Sequence, residues 1–217
     1  RIVTGVQTCA LPILVAAMNF RLARPGVLVD INRIGELGRL KATHEAITIG
    51  ALTRHAAFHH AVADTALAHA LARVVRHIAH YPIRQRGTFA GSLSHADPAS
   101  EWCLVAATLD AEITATSTRG ERRIAPSDFF EGTFRTALQP DEILTSIRLP
   151  GHADGWTFGF EEFARRAGDF ALAMSLAALK VESGIIRDAR LGIGGVSDRP
   201  ARLWDVERDL LGQPPTD

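Results

Sequence analysis

Residues 85–101 combine small side chains, hydroxyls and two carboxyl groups in a pattern suited to holding an anionic cofactor. The segment is cationic at its start and then rich in glycine, alanine and serine. Small residues let a backbone approach a bulky ligand closely, and consecutive N–H groups in a loop can surround phosphate oxygens. Asp97 and Pro98 predict an N-cap and the first position of a helix whose positive dipole end would add to the site. The pattern predicts a loop-and-helix site for a diphosphate cofactor, with no metal and no nucleophile required.

The same residue types also form ordinary turns between a strand and a helix, so the loop chemistry alone leaves a purely structural turn open. The histidines do not indicate a metal site: His77 and His80 lie one turn apart on a predicted helix that offers no carboxylate or thiol beside them. His95, inside the segment, could contact a cofactor or serve the turn. Cys9 and Cys103 are far apart in the sequence and predict neither a disulfide framework nor a metal site. This cysteine usage is typical of the reducing cytoplasm.

The composition excludes several classes of partner. The chain has 217 residues, of which 47% are hydrophobic and 22% charged, as in ordinary globular proteins. Its 24 Lys and Arg residues balance 24 Asp and Glu residues, so no overall field favours nucleic acid or an anionic membrane. No apolar run is long enough to span a bilayer. We therefore expect one large or two modest domains, with no nucleic-acid partner and no membrane span.

The hydrophobic periodicity predicts an α+β fold. Between residues 142 and 149, Ile143, Thr145, Ile147 and Leu149 alternate onto one face and Leu144 falls on the other. A polar, glycine-containing stretch at residues 150–155 predicts a domain boundary, which gives units 14–150 and 151–217. Strand patterns cover residues 27–31, 46–51, 111–117, 142–149, 156–166, 172–181 and 185–193, with a hairpin turn at Ser183 and Gly184, and helical patterns cover 65–80, 98–109 and 200–211.

Separated motifs follow one another at residues 21–25, 28–31, 47–53, 83–101, 128–130, 140–144 and 165–171. In this order they resemble the FAD-binding subunits of molybdenum hydroxylases, the family of the medium subunit of aerobic carbon monoxide dehydrogenase and of the flavin domain of xanthine dehydrogenase. The resemblance runs from about Leu14 to the end of the chain. It implies a noncovalently bound FAD and a flavin-binding α+β unit followed by a smaller sheet-and-helix domain.

The resemblance also implies which residues hold the cofactor. Thr88 matches the hydroxyl residue that opens the pyrophosphate loop. Glu101 falls where the family places a carboxylate near the ribose or ribitol hydroxyls, and Asp97 lies in the same segment, where helix capping explains it equally well. Leu144 matches an apolar residue against the flavin region. The pyrophosphate loop continues, mainly through backbone groups, at Phe89, Ala90, Gly91 and Ser92.

Two positions depart from the family pattern. Glu161 stands where xanthine dehydrogenase-like chains have a lysine near the cofactor, so no shared role is implied. Ala90 replaces one glycine of a usual Gly-Gly pair. If that position needs a left-handed backbone, alanine would cost roughly 1–2 kcal/mol there.

The first 13 residues are expected to be non-native. They do not resemble the family, and residues 5–13 resemble a translated sequencing adapter. The family's other half of the pyrophosphate cradle, an Ala-Gly-Gly-Gln/His-Ser-type loop, would precede Leu14, and the family chain continues beyond Asp217. We therefore expect a truncated subunit, and weak FAD binding by this chain alone.

The function implied is that of a flavin-carrying electron-transfer subunit, with no catalytic acid or base of its own. In the resembled complexes, which form heterotrimers or their dimers, a small iron–sulfur subunit delivers electrons from a large molybdenum–pterin subunit. The flavin then reduces NAD⁺, a quinone or O₂. The lack of a cysteine cluster agrees with iron–sulfur ligands on another chain. A flavin-free interaction or assembly module and, less favoured, a stand-alone flavin oxidase remain open.

Overall fold

A computed structural model of the chain describes residues 18–21, 29–152 and 155–215. The non-native segment predicted at residues 1–13 and most of the motif at residues 21–25 lie outside these ranges. The predicted strand at 27–31 lies partly outside them, and residues 29–31 are not in a strand. No helix in the described ranges has the length and apolar character needed to cross a bilayer.

Two antiparallel sheets form the body of the protein, which confirms the predicted α+β class. The strands are β1 Leu40–Ala42, β2 Ala46–Gly50, β3 Glu112–Ser117, β4 Gly120–Ile124, β5 Phe130–Gly132, β6 Arg135–Thr136, β7 Ile143–Pro150, β8 Trp156–Phe163, β9 Ala173–Glu182, β10 Ile185–Gly194 and β11 Ala201–Arg202. The larger sheet has the order β1-β2-β7-β3-β4 and the smaller has the order β11-β10-β9-β8, while β5 and β6 form a separate pair.

The hairpin between β9 and β10 forms where the sequence predicts it. Ser183 and Gly184 have φ values of 51° and 74°, so both lie in the left-handed region. Two such residues match the twist of the flanking strands in a two-residue hairpin. Glu182 and Ile185 close the pair.

Residues 18 and 19 are helical, and six α-helices lie wholly within the described ranges, at α1 Ala66–Val74, α2 Tyr81–Arg84, α3 Phe89–His95, α4 Glu101–Thr108, α5 Pro126–Phe129 and α6 Trp204–Leu210. Helix α1 begins after Thr65, whose hydroxyl accepts a hydrogen bond from the Ala68 N–H. It ends at Val74, earlier than the predicted residue 80, and the chain then reverses at Ala79, where φ is 42°. The C-terminal helix is also shorter than predicted, because residues 201 and 202 pair with β10 as strand β11.

The predicted cofactor loop is a helix. Thr88, with an extended backbone, caps α3, and its Oγ1 accepts from the Gly91 N–H at 3.0 Å. A threonine N-cap before small and apolar residues favours helix formation, which the loop interpretation overlooked. The left-handed residue is Ala96 at the end of α3, with φ 52° and ψ 45°. Ala90 keeps a negative φ, so the strain considered for this position does not arise.

The helix predicted from Pro98 begins three residues later. Asp97 Oδ1 accepts from the Ala99 N–H at 2.9 Å, so Asp97 closes a turn and does not cap a helix. Helix α4 starts at Glu101 after Ser100. The Asp97 side chain, which the sequence pattern assigned to a helix N-cap, therefore makes its hydrogen bond within this local turn.

Helices α3 and α4 lie between the two sheets. Helix α3 packs on β2 and β7, whereas α4 packs on β9 and β10. Helix α4 is buried on all sides, including Trp102, Cys103 and Leu104, as expected for a helix covered by sheet on one side and helix on another. The segment at residues 85–101, which the sequence pattern indicates as a cofactor site, therefore lies where the larger sheet meets the smaller one.

Strand β7 carries a bulge that reverses one prediction. Thr114 pairs with Ser146 and Ala115 pairs with Leu144, so Thr145 is an extra residue in β7. The bulge brings Leu144 onto the same face as Ile147, where both are buried. The prediction that Leu144 lies on the opposite face from Ile147 is wrong, because simple alternation assumes an unbroken ladder.

Candidate functional site

A cavity of about 250 Å³ opens where the α3–α4 segment meets the connection between β8 and β9. Three of the predicted site residues, Ser92, Asp97 and Glu101, line it. Cavities of about 340, 670 and 680 Å³ in the described chain are larger, and none of the predicted site residues lines them. The chemistry of the walls, not volume, therefore singles out the smaller cavity. Its other walls are His55, Ile78, Ala79, Ile83, His95, Ala99, Ser100, Gly168, Asp169 and Phe170.

The remaining residues of the predicted pyrophosphate loop lie beside this cavity in the core. The side chains of Thr88, Phe89 and Ala90 are fully buried, and the Phe89 ring stacks on Trp102 with centroids 4.6 Å apart. Gly91 is buried as well. Contact between these four residues and a ligand would have to use backbone groups. The Phe89 N–H already donates to Thr53 O at 3.2 Å, and the Gly91 N–H to Thr88.

Glu101 is the cavity residue whose charge is least satisfied. Its side chain forms no ion pair and no hydrogen bond to another residue within the described chain, although the residue is only 8% exposed. Burial, as the main cause, and the charges of Glu162 and Asp97 together raise the pKa of this carboxyl to about 8, although a hydrogen bond from its own backbone N–H acts in the opposite direction. A buried carboxyl without a cation is costly. It is well suited to accept hydrogen bonds from the hydroxyl or N–H groups of a ligand.

His55 is a site residue that the sequence analysis missed. Trp102 Nε1 donates to His55 Nδ1 at 2.9 Å, so the neutral ring carries its proton on Nε2. Burial lowers the pKa of His55 to about 3, with help from Arg54 and Arg84, so the ring is neutral at physiological pH. The His55 ring lies close to the backbone at residue 87, and this contact requires glycine there, because a Cβ at Gly87 would lie 2.5 Å from His55 Nε2. The glycine within the motif was the available signal for a close contact, but the sequence could not identify the partner.

His95 and Asp97 line the cavity, and each already contacts another residue of the chain. The His95 ring lies 4.7 Å from the Phe134 ring, centroid to centroid, and burial lowers the pKa of His95. Asp97 is engaged in its turn with Ala99. Both residues border the site, and Asp97 also has a structural role.

Leu144 does not line the cavity. It is fully buried in the core of the larger sheet, opposite Ala115. Its predicted contact with the flavin region stays a prediction.

The connection between β8 and β9 forms the outer wall. Gly168, Asp169 and Phe170 contribute to it, although the sequence analysis assigned no site residue to their motif. A Cβ at Gly168 would lie 2.5 Å from the His80 ring, and its φ of 86° favours glycine. The glycine thus lets this connection lie close to the segment that joins α1 to α2.

The walls fit a flat, largely apolar ligand with a few hydrogen-bonding groups. Ile78, Ile83 and Phe170 supply apolar surface, Glu101 supplies an acceptor, and Ser92 supplies a hydroxyl. This donor set suits the ring system or ribityl chain of a flavin. No group of three or more His, Cys, Asp and Glu side chains in the described ranges is placed to hold a metal ion.

Comparisons with family models cover nearly the whole chain. Residues 12–152 match the model of the FAD binding domain in molybdopterin dehydrogenase. Residues 158–217 match the model of the CO dehydrogenase flavoprotein C-terminal domain. Residues 1–11 precede the first match, and residues 153–157 separate the two matches.

Individual relatives agree with these matches. The chain is 37% identical over 212 residues to the medium subunit of nicotine 6-hydroxylase from Paenarthrobacter nicotinovorans, covering 98% of this chain and 72% of the relative. It is 31% identical to the carbon monoxide dehydrogenase medium chain of Afipia carboxidovorans, covering 92% and 69%.

Solved structures show the same architecture. Quinoline 2-oxidoreductase from Pseudomonas putida 86 aligns with a TM-score of 0.85 at 33% identity, over 100% of this chain and 73% of the other. Carbon monoxide dehydrogenase from Hydrogenophaga pseudoflava aligns with a TM-score of 0.90 at 28% identity, over 100% and 74%.

Proposed function

The chain belongs to the family of FAD-binding medium subunits of molybdenum hydroxylases, and we propose that it is the flavin-carrying electron-transfer subunit of such a complex. The observation that carries the proposal is the buried carboxyl of Glu101, which has no ion-pair or hydrogen-bond partner among the other described residues, in a cavity with apolar walls. Such a group fits a cofactor with hydroxyl and N–H donors. In this proposal residues 14–150 form the flavin-binding unit and residues 151–217 the C-terminal unit.

The chain would contribute binding and orientation. Bound FAD supplies the capacity to accept and pass on electrons. Glu101 would accept hydrogen bonds from the cofactor, and the Nε2–H of His55 would offer it a donor held in place by Trp102. Ile78, Ile83 and Phe170 would exclude water from the cofactor's apolar surface. Backbone groups of residues 88–92, at the beginning of α3, would approach the pyrophosphate.

The redox partners would lie on other chains. Cys103 is the free cysteine of the described chain, and burial raises the pKa of its thiol, so it is not a cluster ligand. The relatives from Paenarthrobacter and Pseudomonas are named as subunits of nicotine 6-hydroxylase, 6-hydroxypseudooxynicotine dehydrogenase and caffeine dehydrogenase. We propose an iron–sulfur small subunit as electron donor, a molybdenum–pterin large subunit as the site of substrate oxidation, and a heterotrimer or its dimer as the assembly.

Titration of the chain with FAD, followed by fluorescence quenching, tests the proposal. We expect weak but saturable binding that Glu101→Gln weakens further and that Glu121→Gln, an equal charge change on the exposed edge strand β4, leaves unchanged. Circular dichroism of each variant reports on folding. Absence of FAD binding would favour the flavin-free assembly module.

A second experiment tests the direction of electron flow. The FAD-loaded chain, mixed with a reduced iron–sulfur partner subunit, should show bleaching of the flavin absorbance. The chain alone, supplied with candidate organic substrates, should leave the flavin oxidised. Substrate-driven flavin reduction without a partner would overturn the electron-transfer assignment in favour of a stand-alone oxidase.

A further inference from the structure

A cavity of about 680 Å³ lies beside the beginning of β8, and the proposed function does not use it. Five side chains that can carry a positive charge line this cavity, namely His59, His60, His69, Arg73 and Arg76. Its walls include no Asp and no Glu among the described residues. We call this cavity the basic cleft. It differs from the cofactor cavity, because no residue lines both.

Helix α1 and the turn after it place three of these side chains along one wall. His69, Arg73 and Arg76 are four and three residues apart, which is the spacing of neighbours on a helix surface. The turn continues the winding of α1, since the Arg76 N–H donates to the Arg73 carbonyl at 3.2 Å. The facing wall is the beginning of β8, where Trp156 and Phe158 supply aromatic surface. The basic cleft therefore has a cationic wall and an aromatic wall.

Neither arginine of the basic cleft is neutralised by another described residue. Arg73 donates to the carbonyl of Phe158, an uncharged group that holds the guanidinium beside β8. Arg76 is exposed and forms no ion pair and no side-chain hydrogen bond within the described ranges. Asp64 lies 3.2 Å from His69 Nε2, but both side chains are exposed, and such pairs contribute little.

The surroundings of His59 show that the local field is positive. Arg84 Nε donates to His59 Nε2 at 3.1 Å, so the neutral ring keeps its proton on Nδ1. Burial is the main cause that lowers the pKa of His59, and the positive charges of Arg84 and Arg76 act in the same direction. Positive groups that oppose one another's charge are stabilised by an anion placed among them.

A cavity of similar size, about 670 Å³, shows the opposite arrangement. Three arginines and three acidic residues line it together, so we call it the charge-balanced cavity. Arg123 pairs there with Glu112, and Arg202 pairs with Asp110. The described walls of the basic cleft contain no such acidic partners, so an anion from outside the chain is the natural counterpart of its arginines.

We propose that the basic cleft binds a small aromatic anion, with its phosphate or carboxylate group on Arg73 and Arg76 and its ring against Trp156 and Phe158. A guanidinium donates two parallel hydrogen bonds to either anionic group. Aromatic rings gain further from stacked or edge contacts with indole and phenyl groups. The volume of about 680 Å³ suits a small molecule, because ligand sites span roughly 300–1,000 Å³. This inference does not depend on the proposed function.

The three tryptophans of the chain provide a binding test with internal controls. Trp156 lines the basic cleft, Trp204 lines the charge-balanced cavity, and Trp102 is buried in the core. In ¹H–¹⁵N spectra the indole N–H signal of Trp156 should shift saturably with AMP, benzoate or both, while the other two stay in place. Which anion binds distinguishes a phosphate ligand from a carboxylate ligand. No saturable Trp156 shift with either anion would overturn the proposal.

Uncharged analogues test whether the anionic group matters. Adenosine and benzyl alcohol keep the rings of AMP and benzoate but lack their charge. They should bind at least about tenfold more weakly than the corresponding anion, since each hydrogen bond to a charged group is worth about one order of magnitude or more. Equal affinities for the charged and uncharged compounds would overturn the role of the arginines.

Arg76→Gln removes one charge from the cleft at an exposed position, so the fold should be kept. The affinity for the anion should fall about tenfold, and its dependence on salt should become shallower. Arg187→Gln is the matched control, an equal charge change at an exposed position of β10, and it should leave the affinity unchanged. An unchanged affinity in Arg76→Gln would contradict the proposal.

Saturating FAD separates the basic cleft from the cofactor cavity. The anion should shift the Trp156 signal to the same extent with and without FAD. Loss of this shift in the presence of FAD would mean that the cofactor occupies the basic cleft, which would overturn a separate site. Anion binding by a chain that binds no FAD would support the basic cleft and contradict the proposed function alone.

Discussion

The two ends of the segment at residues 88–101 have opposite characters. At its beginning, the Thr88 hydroxyl caps α3 by accepting a hydrogen bond from the Gly91 N–H, and the Phe89 ring stacks on Trp102 in the core. At its end, Glu101 is buried beside a cavity, and no residue in the described part of the chain pairs with its charge. Where polar groups are satisfied within the chain, the residues hold the fold. Where a buried polar group is left without a partner, a ligand is the natural partner.

Phe89→Ala should give the largest effect on the structural end. The ring is fully buried and stacks on Trp102, so its loss leaves a cavity between the two sheets. We expect a loss of about 3–5 kcal/mol in the free energy of unfolding. Urea denaturation followed by tryptophan fluorescence measures it. A loss below about 1 kcal/mol would show that α3 does not support the core as described.

Glu101 should make stability depend on pH. Because the folded state raises the pKa of Glu101 from 4.5 to about 8, its contribution is fully present below about pH 4.5 and is lost as the pH rises towards 8. The loss is on the order of 1 kcal/mol per pH unit within this window. Glu101→Gln should flatten this part of the curve, as measured by urea denaturation at pH 5, 6.5 and 8. Parallel curves for the variant and the unaltered chain would contradict the raised pKa.

Glu101→Gln should weaken the binding of FAD. A hydrogen bond to a charged group is worth about 1.5–3 kcal/mol, which corresponds to roughly ten- to a hundredfold in affinity. Isothermal titration at pH 8, where the carboxylate is populated, measures the change. This variant should lose affinity without losing stability, whereas Phe89→Ala should do the reverse under conditions in which it remains folded. If Glu101→Gln and Phe89→Ala each lost FAD affinity and stability to the same extent, the beginning and the end of the segment at residues 88–101 would not differ in role.

Thr88→Ala should give the smallest effect. It removes the side-chain cap of α3 and should cost about 1 kcal/mol in the free energy of unfolding. Thr88→Ser keeps the hydroxyl and is the matched control. Thermal unfolding by circular dichroism would resolve the two, and identical stabilities for the alanine and serine variants would show that the cap contributes nothing.

The extent to which the sequence predicted the fold depended on how local the determining interactions are. The strands at residues 46–51, 111–117, 172–181 and 185–193 were predicted well. The alternation of apolar and polar residues and the turn residues Ser183 and Gly184 are local signals in the sequence. The bulge in β7 was not, because it depends on how β7 pairs with β3. That single extra residue decided the environment of Leu144.

The candidate site followed the same rule. Ser92, Asp97 and Glu101 were identified from one continuous segment and do line one cavity. His55 was missed because its contact with Trp102 spans 47 residues of sequence. The apolar walls from Ile78 and Phe170 likewise come from distant parts of the chain, which no local pattern brings together.

By itself, the sequence determined the α+β class, the membership of the FAD-binding family and the segment at residues 88–101 that meets the cavity. It could do so because periodicity and motif order are written along the chain. Only the tertiary structure decided that this segment is two helices between two sheets, and that the buried Glu101 has no cationic partner among the described residues. Burial and charge pairing depend on which residues become neighbours after folding, and these distances are not encoded in any single stretch of sequence.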